Sequence, residues 1–487
     1  MGSVKEETLK GTKWSLVERF SVQGIYFVLG LIMARLLSPS DYGTVGMLAI
    51  FYAISGTFID SGFGTALVRK IDRTEEDFST VFYTNLAVSV VCYIILFIGA
   101  PWVGDFFEMP ILCPILRVQS VNLILGALMG VQVAKLTIDI NFKALAQRAT
   151  LAAFVSGLVG IILAYSGFGV WALVIQSIIS SLVNLVFLCY YCRWYPKAGF
   201  SRKSFKELFG FGSKLLASGL LHTIYSHLTT LIIGKYFSAK DLGYYSRGTN
   251  LATFPVSNIN GVLSRVTFPI LSKLQNDDTR LIGVYRKYIC VTSLAIFFGC
   301  TLMAAIGDPL IRFLLTDKWA EAIIYLQLFS FSIMFDHVCS INLNLLQVKG
   351  RSDLFLRLEI IKKTISTIIL FASIPFGVIG ICVSKIIYTQ IAVFINTYYT
   401  GKLFHLGYVT QLKDFSVFLL YSIVACVPAY VMSLLRLPYL LTLIFGPMVA
   451  VALYWLLLRR NPYMLELIDT AKANFFTNEA KNNDNNG

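Results

Sequence analysis

A chain of 487 residues, 56% of them hydrophobic and only 14% charged, is too apolar for ordinary soluble domains. Its mean hydropathy is +0.70. A formal net charge of +14 would suit nucleic acid in a soluble protein, but here the cations punctuate long apolar runs and read as orientation signals.

Residues 81–104, 149–192, 364–384, 415–435 and 437–458 contain no Asp, Glu, Lys or Arg. Each run is long enough for at least one bilayer crossing, which takes about 20 apolar residues. The sequence therefore predicts an all-α, polytopic membrane protein with about fourteen transmembrane helices. The start, 1–13, is charged and leads straight into a helix of spanning length, unlike a cleavable signal. The first six helices are expected at 14–36, 42–64, 79–100, 112–134, 149–166 and 169–191, making an N-terminal lobe of residues 1–192. A basic linker, 193–207, follows, and Phe200, Phe205, Phe209 and Leu208 interleave its cations and the start of the next helix. It reads equally as an interfacial helix or as a plain positively charged connection. The second lobe, 208–401, carries helices at 208–236, 242–270, 287–306, 320–346, 358–375 and 377–400. Two further helices lie within 402–460, at 415–435 and 437–458, and a polar, Asn-rich tail occupies 461–487.

The two lobes share a signature. Residues 32–43 read IMARLLSPSDYG and residues 232–243 read IIGKYFSAKDLG, with Ser38/Ser238, Asp41/Asp241 and Gly43/Gly243 identical. Each copy closes one apolar segment and opens the next across a tight turn, so the pattern reads as a duplication giving two pseudo-symmetric six-helix lobes. Gly167-Phe168-Gly169-Val170 and Pro375-Phe376-Gly377-Val378 form a second echo.

Of the 41 Lys and Arg, 29 fall in the N-terminus, the even-numbered loops and the C-terminus, and five in the odd-numbered loops. By the positive-inside rule both termini are expected in the cytoplasm. All six Trp fall near helix ends, as an aromatic belt requires.

Ionisable groups inside the apolar segments need a partner, a watery cavity or a task. Glu18, Arg19 and Asp60 form one set. Arg19 lies about 26 Å down helix 1 and Asp60 about 27 Å down helix 2 from their shared hairpin, so an Arg19–Asp60 interaction is expected. Asp336 and His337, midway along helix 10, are a titratable pair suited to carrying protons. Lys385 in helix 12 either pairs with a carboxylate or lines a wet cavity. Glu18, Asp60, Asp336 and His337 are the ion-coupling candidates. Each of these sets also has a structural reading, as an ion pair or a snorkelling side chain. His222 and His227 read as packing or hydrogen-bonding residues, and Gly126-x-x-x-Gly130 as a weak close-contact motif.

The sequence contains no Walker loop, dinucleotide glycine run, His-Glu-x-x-His or serine elbow. The nine cysteines sit mostly inside apolar segments, and Cys189-Tyr-Tyr-Cys192 has no second pair or nearby histidine, so neither disulfides nor a metal is expected. No cofactor and no catalytic residue is expected, and transport is favoured over catalysis.

The residues then carry a resemblance. Ala34-Arg35-Leu36-Leu37-Ser38-Pro39-Ser40-Asp41-Tyr42-Gly43 is followed by Phe58-Ile59-Asp60-Ser61-Gly62-Phe63-Gly64. Leu242-Gly243-Tyr244-Tyr245-Ser246-Arg247 continues through Phe254-Pro255-Val256 to Arg265-Val266-Thr267-Phe268-Pro269. The set, in order, resembles the polysaccharide transporters of the multidrug/oligosaccharidyl-lipid/polysaccharide exporter superfamily, nearest the colanic-acid and teichuronic-acid exporter type. The resemblance implies a V-shaped pair of lobes, alternating access, and flipping of an undecaprenyl-pyrophosphate-linked oligosaccharide across a bacterial inner membrane. It implies a coupling cation, H+ or Na+, and polysaccharide-assembly proteins as partners. Cations near the lobe interface would balance the pyrophosphate, and Arg19, Arg247, Arg265 and Lys385 are the candidates. The alternatives are a multidrug cation antiporter of the same superfamily, which stops at twelve helices, and a membrane polymerase or glycosyltransferase, which the short outer loops disfavour.

Overall fold

The computed structural model describes residues 23–435 and 437–465, apart from the side chains at 254, 255 and 257–266. Glu18 and Arg19, and with them the expected Arg19–Asp60 interaction, lie outside the described residues. Among those described, no strand occurs. The helices are α1 (Gln23–Leu36), α2 (Pro39–Asp60), α3 (Phe63–Arg69), α4 (Glu75–Phe106), α5 (Leu112–Gln119) and α6 (Val121–Ile138). They continue as α7 (Phe142–Tyr165), α8 (Val170–Cys192), α9 (Arg202–Tyr236), α10 (Ala239–Lys273), α11 (Asp278–Ala305) and α12 (Gly307–Leu315). The last are α13 (Ala322–Ile333), α14 (Asp336–Val348), α15 (Ser352–Ser373), α16 (Gly377–Phe404), α17 (Tyr408–Leu434) and α18 (Tyr439–Leu458).

Eleven described stretches are long and apolar enough to cross a membrane, and one of them, Ser352–Phe404, holds both α15 and α16. With α1 and the more polar α10 added, the arrangement is compatible with fourteen crossings. Three expected helices are interrupted. Helix 2 ends at Asp60, where Ser61 (φ 41°) and Gly62 (φ 73°) turn left-handed before α3. Helix 4 divides at Ser120 into α5 and α6. Helix 10 divides at Met334–Phe335 into α13 and α14. Periodicity does not reveal such breaks, because each keeps the apolar run going while only the backbone register changes.

By packing, the chain forms two compact units, 1–243 and 244–487. In the first, α2 packs along α9, α7 along α8, and α6 against α4 and α8. Of the expected linker, 193–201 is irregular, and Arg202, Lys203 and Lys206 form the first turns of the 35-residue α9. The irregular part is fastened to α4. Trp194 Nε1 donates to Glu75 (2.8 Å), Ala198 N–H to Ser79 Oγ (3.2 Å), and Ser201 N–H to Thr80 Oγ1 (3.0 Å). Lys70, in the α3–α4 loop, meets Asp77 (3.0 Å) and Glu207 (3.1 Å). Burial works against the Lys70 ammonium, but these two carboxylates hold its pKa above the ordinary value.

The repeated signature has a physical content. Ser38 and Ser238 cap α2 and α10 in the same way, each Oγ receiving the N–H three residues on while Asp41 or Asp241 reaches back to the serine N–H. The glycines then let the two helix starts cross. A Cβ on Gly43 would fall inside the Ala239 carbonyl, and one on Gly243 inside the Pro39 carbonyl. The two contacts are reciprocal and lie wholly in the first unit, at the start of α10. Gly212 on α9 likewise admits the Ser61 carbonyl at the α2–α3 turn.

In the second unit, α11, α13, α14, α16, α17 and α18 surround a core that includes Tyr285, Ile289, Phe297, Val338, Leu345, Phe415 and Phe418. A closed polar network ties three of these helices. Asn342 Nδ2 donates to Gln411 Oε1 (2.8 Å), while Gln411 Nε2 donates to Asn342 Oδ1 (3.0 Å) and the Leu406 carbonyl (2.8 Å). Thr400 Oγ1 also donates to Asn342 Oδ1 (2.8 Å). All three side chains are fully buried. Gln411→Ala is expected to take one buried partner each from the Asn342 amide and carbonyl and the Leu406 carbonyl, and to destabilise the unit by about 1–3 kcal/mol. A lowered melting temperature of the purified protein in detergent checks it.

Candidate functional site

The break between α13 and α14 builds the site. It leaves a helix N-terminus within the span, and Asp336 occupies the first turn of α14, where a carboxylate is favoured by the helix dipole. Its chain neighbours Phe335 and His337 are buried, whereas Asp336 is exposed. A carboxylate exposed at this level cannot face hydrocarbon at low cost, so it opens on a wet crevice. Asp336 is in electrostatic range of Lys385 on α16 and Lys362 on α15. Lys362 is 6% exposed and is hydrogen-bonded to Glu359 one turn earlier. Two carboxylates and two ammoniums thus balance inside the second unit.

The surroundings are polar and tightly packed. Ser332 and Thr389 join α13 to α16 (3.2 Å). Lys385 Nζ stands over the Phe329 ring (5.7 Å). Asn396 on α16 is wholly buried, and apart from the Cys339 thiol beside it neither of its side-chain polar atoms has a regular hydrogen-bond partner. Such an amide needs a guest, a water or an ion, or else it stores strain.

The structure separates the expected Asp336–His337 pair. Adjacent residues on a helix point about 100° apart, so while Asp336 meets the lysines, His337 turns to α11. His337 Nε2 lies 2.8 Å from Ser293 Oγ, and its ring stands edge-on to Phe297. Of the cations, Arg247 is half-buried with its guanidinium over Trp319 (5.9 Å). Arg265 lies on α10, among the side chains not described. In the first unit, Asp60 ends α2 and its carboxylate accepts from the Gly64 N–H, capping α3. Lys235, a loop cation by sequence, instead ends α9, pairing with Glu108 (3.1 Å) and standing over Phe106 (5.1 Å).

The sequence reading passed over Lys362 and Asn396. Lys362 stands beside Lys363 in the first turns of the expected helix 358–375 and looks like one more border cation, but α15 begins ten residues before it and carries it into the protein. Asn396 had no signal at all beyond being an amide inside an apolar run. No cluster of three or more His, Cys, Asp or Glu able to hold a metal occurs among the described residues.

With this geometry in hand, comparison with known proteins is decisive for the family. Residues 32–324 match the model described as "Polysaccharide biosynthesis protein". The chain belongs to that family. Among curated relatives, it is 23% identical to the teichuronic acid biosynthesis protein TuaB of Bacillus subtilis, covering 73% of this chain and 74% of that one. It is also 23% identical to the lipopolysaccharide biosynthesis protein WzxC of Escherichia coli, over 78% and 76% of the two chains. The fold is that of a solved lipid II flippase MurJ in an inward closed conformation, with a TM-score of 0.70, 14% identity, and 92% and 99% of the chains covered. An inward-facing multidrug MATE transporter also shares it, with a TM-score of 0.60, 16% identity, and 80% and 97% covered. As a family member the chain is a multi-pass membrane transporter of the kind used in polysaccharide biosynthesis.

Proposed function

We propose that this chain flips a lipid-linked oligosaccharide across a bacterial inner membrane by alternating access, feeding polysaccharide or lipopolysaccharide assembly. Membership of the polysaccharide biosynthesis family is the observation that carries it. Supporting it are relatives whose names place them in teichuronic acid and lipopolysaccharide synthesis, and the flippase-like fold. The Lys and Arg bias supports cytoplasmic termini. The sequence has no ATP-binding signature, which supports ion-gradient coupling, and Asp336, offset by Lys385 and Lys362, is the best-placed carboxylate to exchange H+ or Na+ with the crevice. Arg247, Arg265, Lys385 and Arg19 remain the proposed partners of the pyrophosphate.

Deletion of the gene is expected to accumulate a lipid-linked glycan in the cytoplasmic leaflet and to abolish the matching surface polysaccharide. In complementation, Arg247→Ala should lower export about tenfold, the effect of about 1.4 kcal/mol, whereas Lys203→Ala at the membrane surface should be nearly silent. Normal polysaccharide in the deletion strain, with altered drug sensitivity instead, would favour an antiporter and overturn the reading.

A further inference from the structure

One face of α9 is at odds with a helix that spans hydrocarbon. Lys214, Ser218, His222 and Ser226 follow one another at four-residue intervals, and all four are exposed. The back of the same helix is fixed against α2. Gly212 takes the Ser61 carbonyl, Gly219 faces the Thr57 methyl so closely that a Cβ there would lie 3.2 Å from it, and Thr57 Oγ1 and Thr223 Oγ1 are hydrogen-bonded (3.0 Å). The helix therefore cannot roll to hide the polar side chains. It also has a separate surface for lipid: Leu221 and Ile224 are exposed at 69% and 44%. At 3.6 residues per turn, that apolar strip and the polar one are centred roughly 110° apart. The first strip suits acyl chains and the second suits water, with Leu215 (39% exposed) on the second strip lying against the Gly62 turn. Polar groups exposed within a span mark a hydrated path rather than a lipid contact.

We infer that the Lys214–Ser218–His222–Ser226 stripe is a track for the saccharide part of the cargo. Four residues advance a helix by about 6 Å, close to the length of one sugar ring, so successive rings meet successive hydrogen-bonding groups. Three of the four groups are a hydroxyl, an imidazole and a hydroxyl, each able to donate and accept, which suits neutral sugar hydroxyls whose orientation varies along a chain. The only fixed charge, Lys214, stands at the end nearest the basic start of α9, where a phosphate at the head of the glycan would be met. By the 200-residue repeat offset, Ser218 matches the sequence position of Glu18, so both copies carry a polar residue there.

The inference rests on the flipping of a lipid-linked glycan, and the test separates the two. Single cysteines at 218, 222 and 226, and at 221 and 224, are placed in a chain whose nine native cysteines are serine. Each is then treated with a membrane-impermeant, charged thiol reagent. Positions 218, 222 and 226 should react at least tenfold faster than 221 and 224. The lipid-linked oligosaccharide extracted from the host should slow them, and sugar-free undecaprenyl pyrophosphate should not. In the chain with its native cysteines, His222→Gln should keep export and His222→Leu should lose it about tenfold at equal membrane abundance. Equal labelling of both faces, equal protection by the sugar-free lipid, or full export by His222→Leu each overturns the track. The gene-deletion phenotype reports on flipping itself and stands whichever way the labelling falls.

Discussion

Valine at Gly43 or Gly243 is expected to abolish export while leaving the chain in the membrane. Both positions press backbone on backbone, and any Cβ would overlap a carbonyl of the other helix start. The partner atoms belong to main chain at capped helix N-termini, so no side-chain rotation relieves the overlap and the helices must separate. Overpacking a core usually costs about 1–3 kcal/mol when side chains can adjust, so a rigid backbone clash should exceed that. Even Gly→Ala should be severe here. Two glycines serve as controls. A Cβ on Gly46 would meet Leu242 at ordinary contact distance (3.4 Å), and one on Gly126 would meet nothing within 4 Å, although Gly126 sits in the tidier Gly-x-x-x-Gly motif. Gly46→Ala should be mild and Gly126→Ala silent or slightly stabilising, since Ala favours helix over Gly by roughly 1 kcal/mol. Surface polysaccharide and immunoblotted membrane fractions supply the readout. Wild-type export by Gly243→Val would show that the α2–α10 crossing is dispensable.

The second large effect concerns the charges at the helix break. Asp336→Asn and Lys385→Met should each lower export at least tenfold, because each leaves the other charge without its compensation inside a membrane span, where Lys385 is only half-exposed. The double variant separates structure from mechanism. Two neighbouring groups typically show a coupling of about 0.5–3 kcal/mol, so melting temperature should recover in the double variant relative to the sum of the single losses. Export should not recover if Asp336 exchanges the coupling ion, because no carboxylate then remains at the crevice. Recovery of both stability and export would reduce the pair to a structural one. His337→Ala gives a useful contrast: it should cost stability through Ser293 and the Phe297 packing, and leave the ion dependence of export unchanged.

Much of this protein was legible before any coordinates. Apolar run length is a local property, and a bilayer imposes it on every crossing, so the apolar part of each described helix was legible, whereas α7, α9, α11, α15 and α17 start six to nine residues earlier than expected, in polar first turns. The duplicated Ser-x-x-Asp-x-Gly signature was also visible, because capping and close approach each demand particular residue types at fixed spacing. Those same residues, with the Phe58–Gly64 and Leu242–Arg247 segments, were enough to point to the polysaccharide transporters.

Tertiary structure decided how the charges are used. Asp336 and His337 are neighbours in sequence, but helix rotation sends them to different helices, one to Lys385 and Lys362 and the other to Ser293. Lys362 is carried inward because α15 starts at Ser352, six residues before the expected helix, and only the end of the linker, from Arg202, joins α9, since Pro196 and Gly199 oppose helix before it. The break at Ser61–Gly62 is fitted to its neighbour, with the Ser61 carbonyl seated on Gly212 of α9, and those at Ser120 and Met334–Phe335 show only in the folded backbone. Hydropathy counts residues along a line, whereas a partner in a membrane protein is chosen by the angle at which two helices meet, and that angle is a property of the whole packed unit.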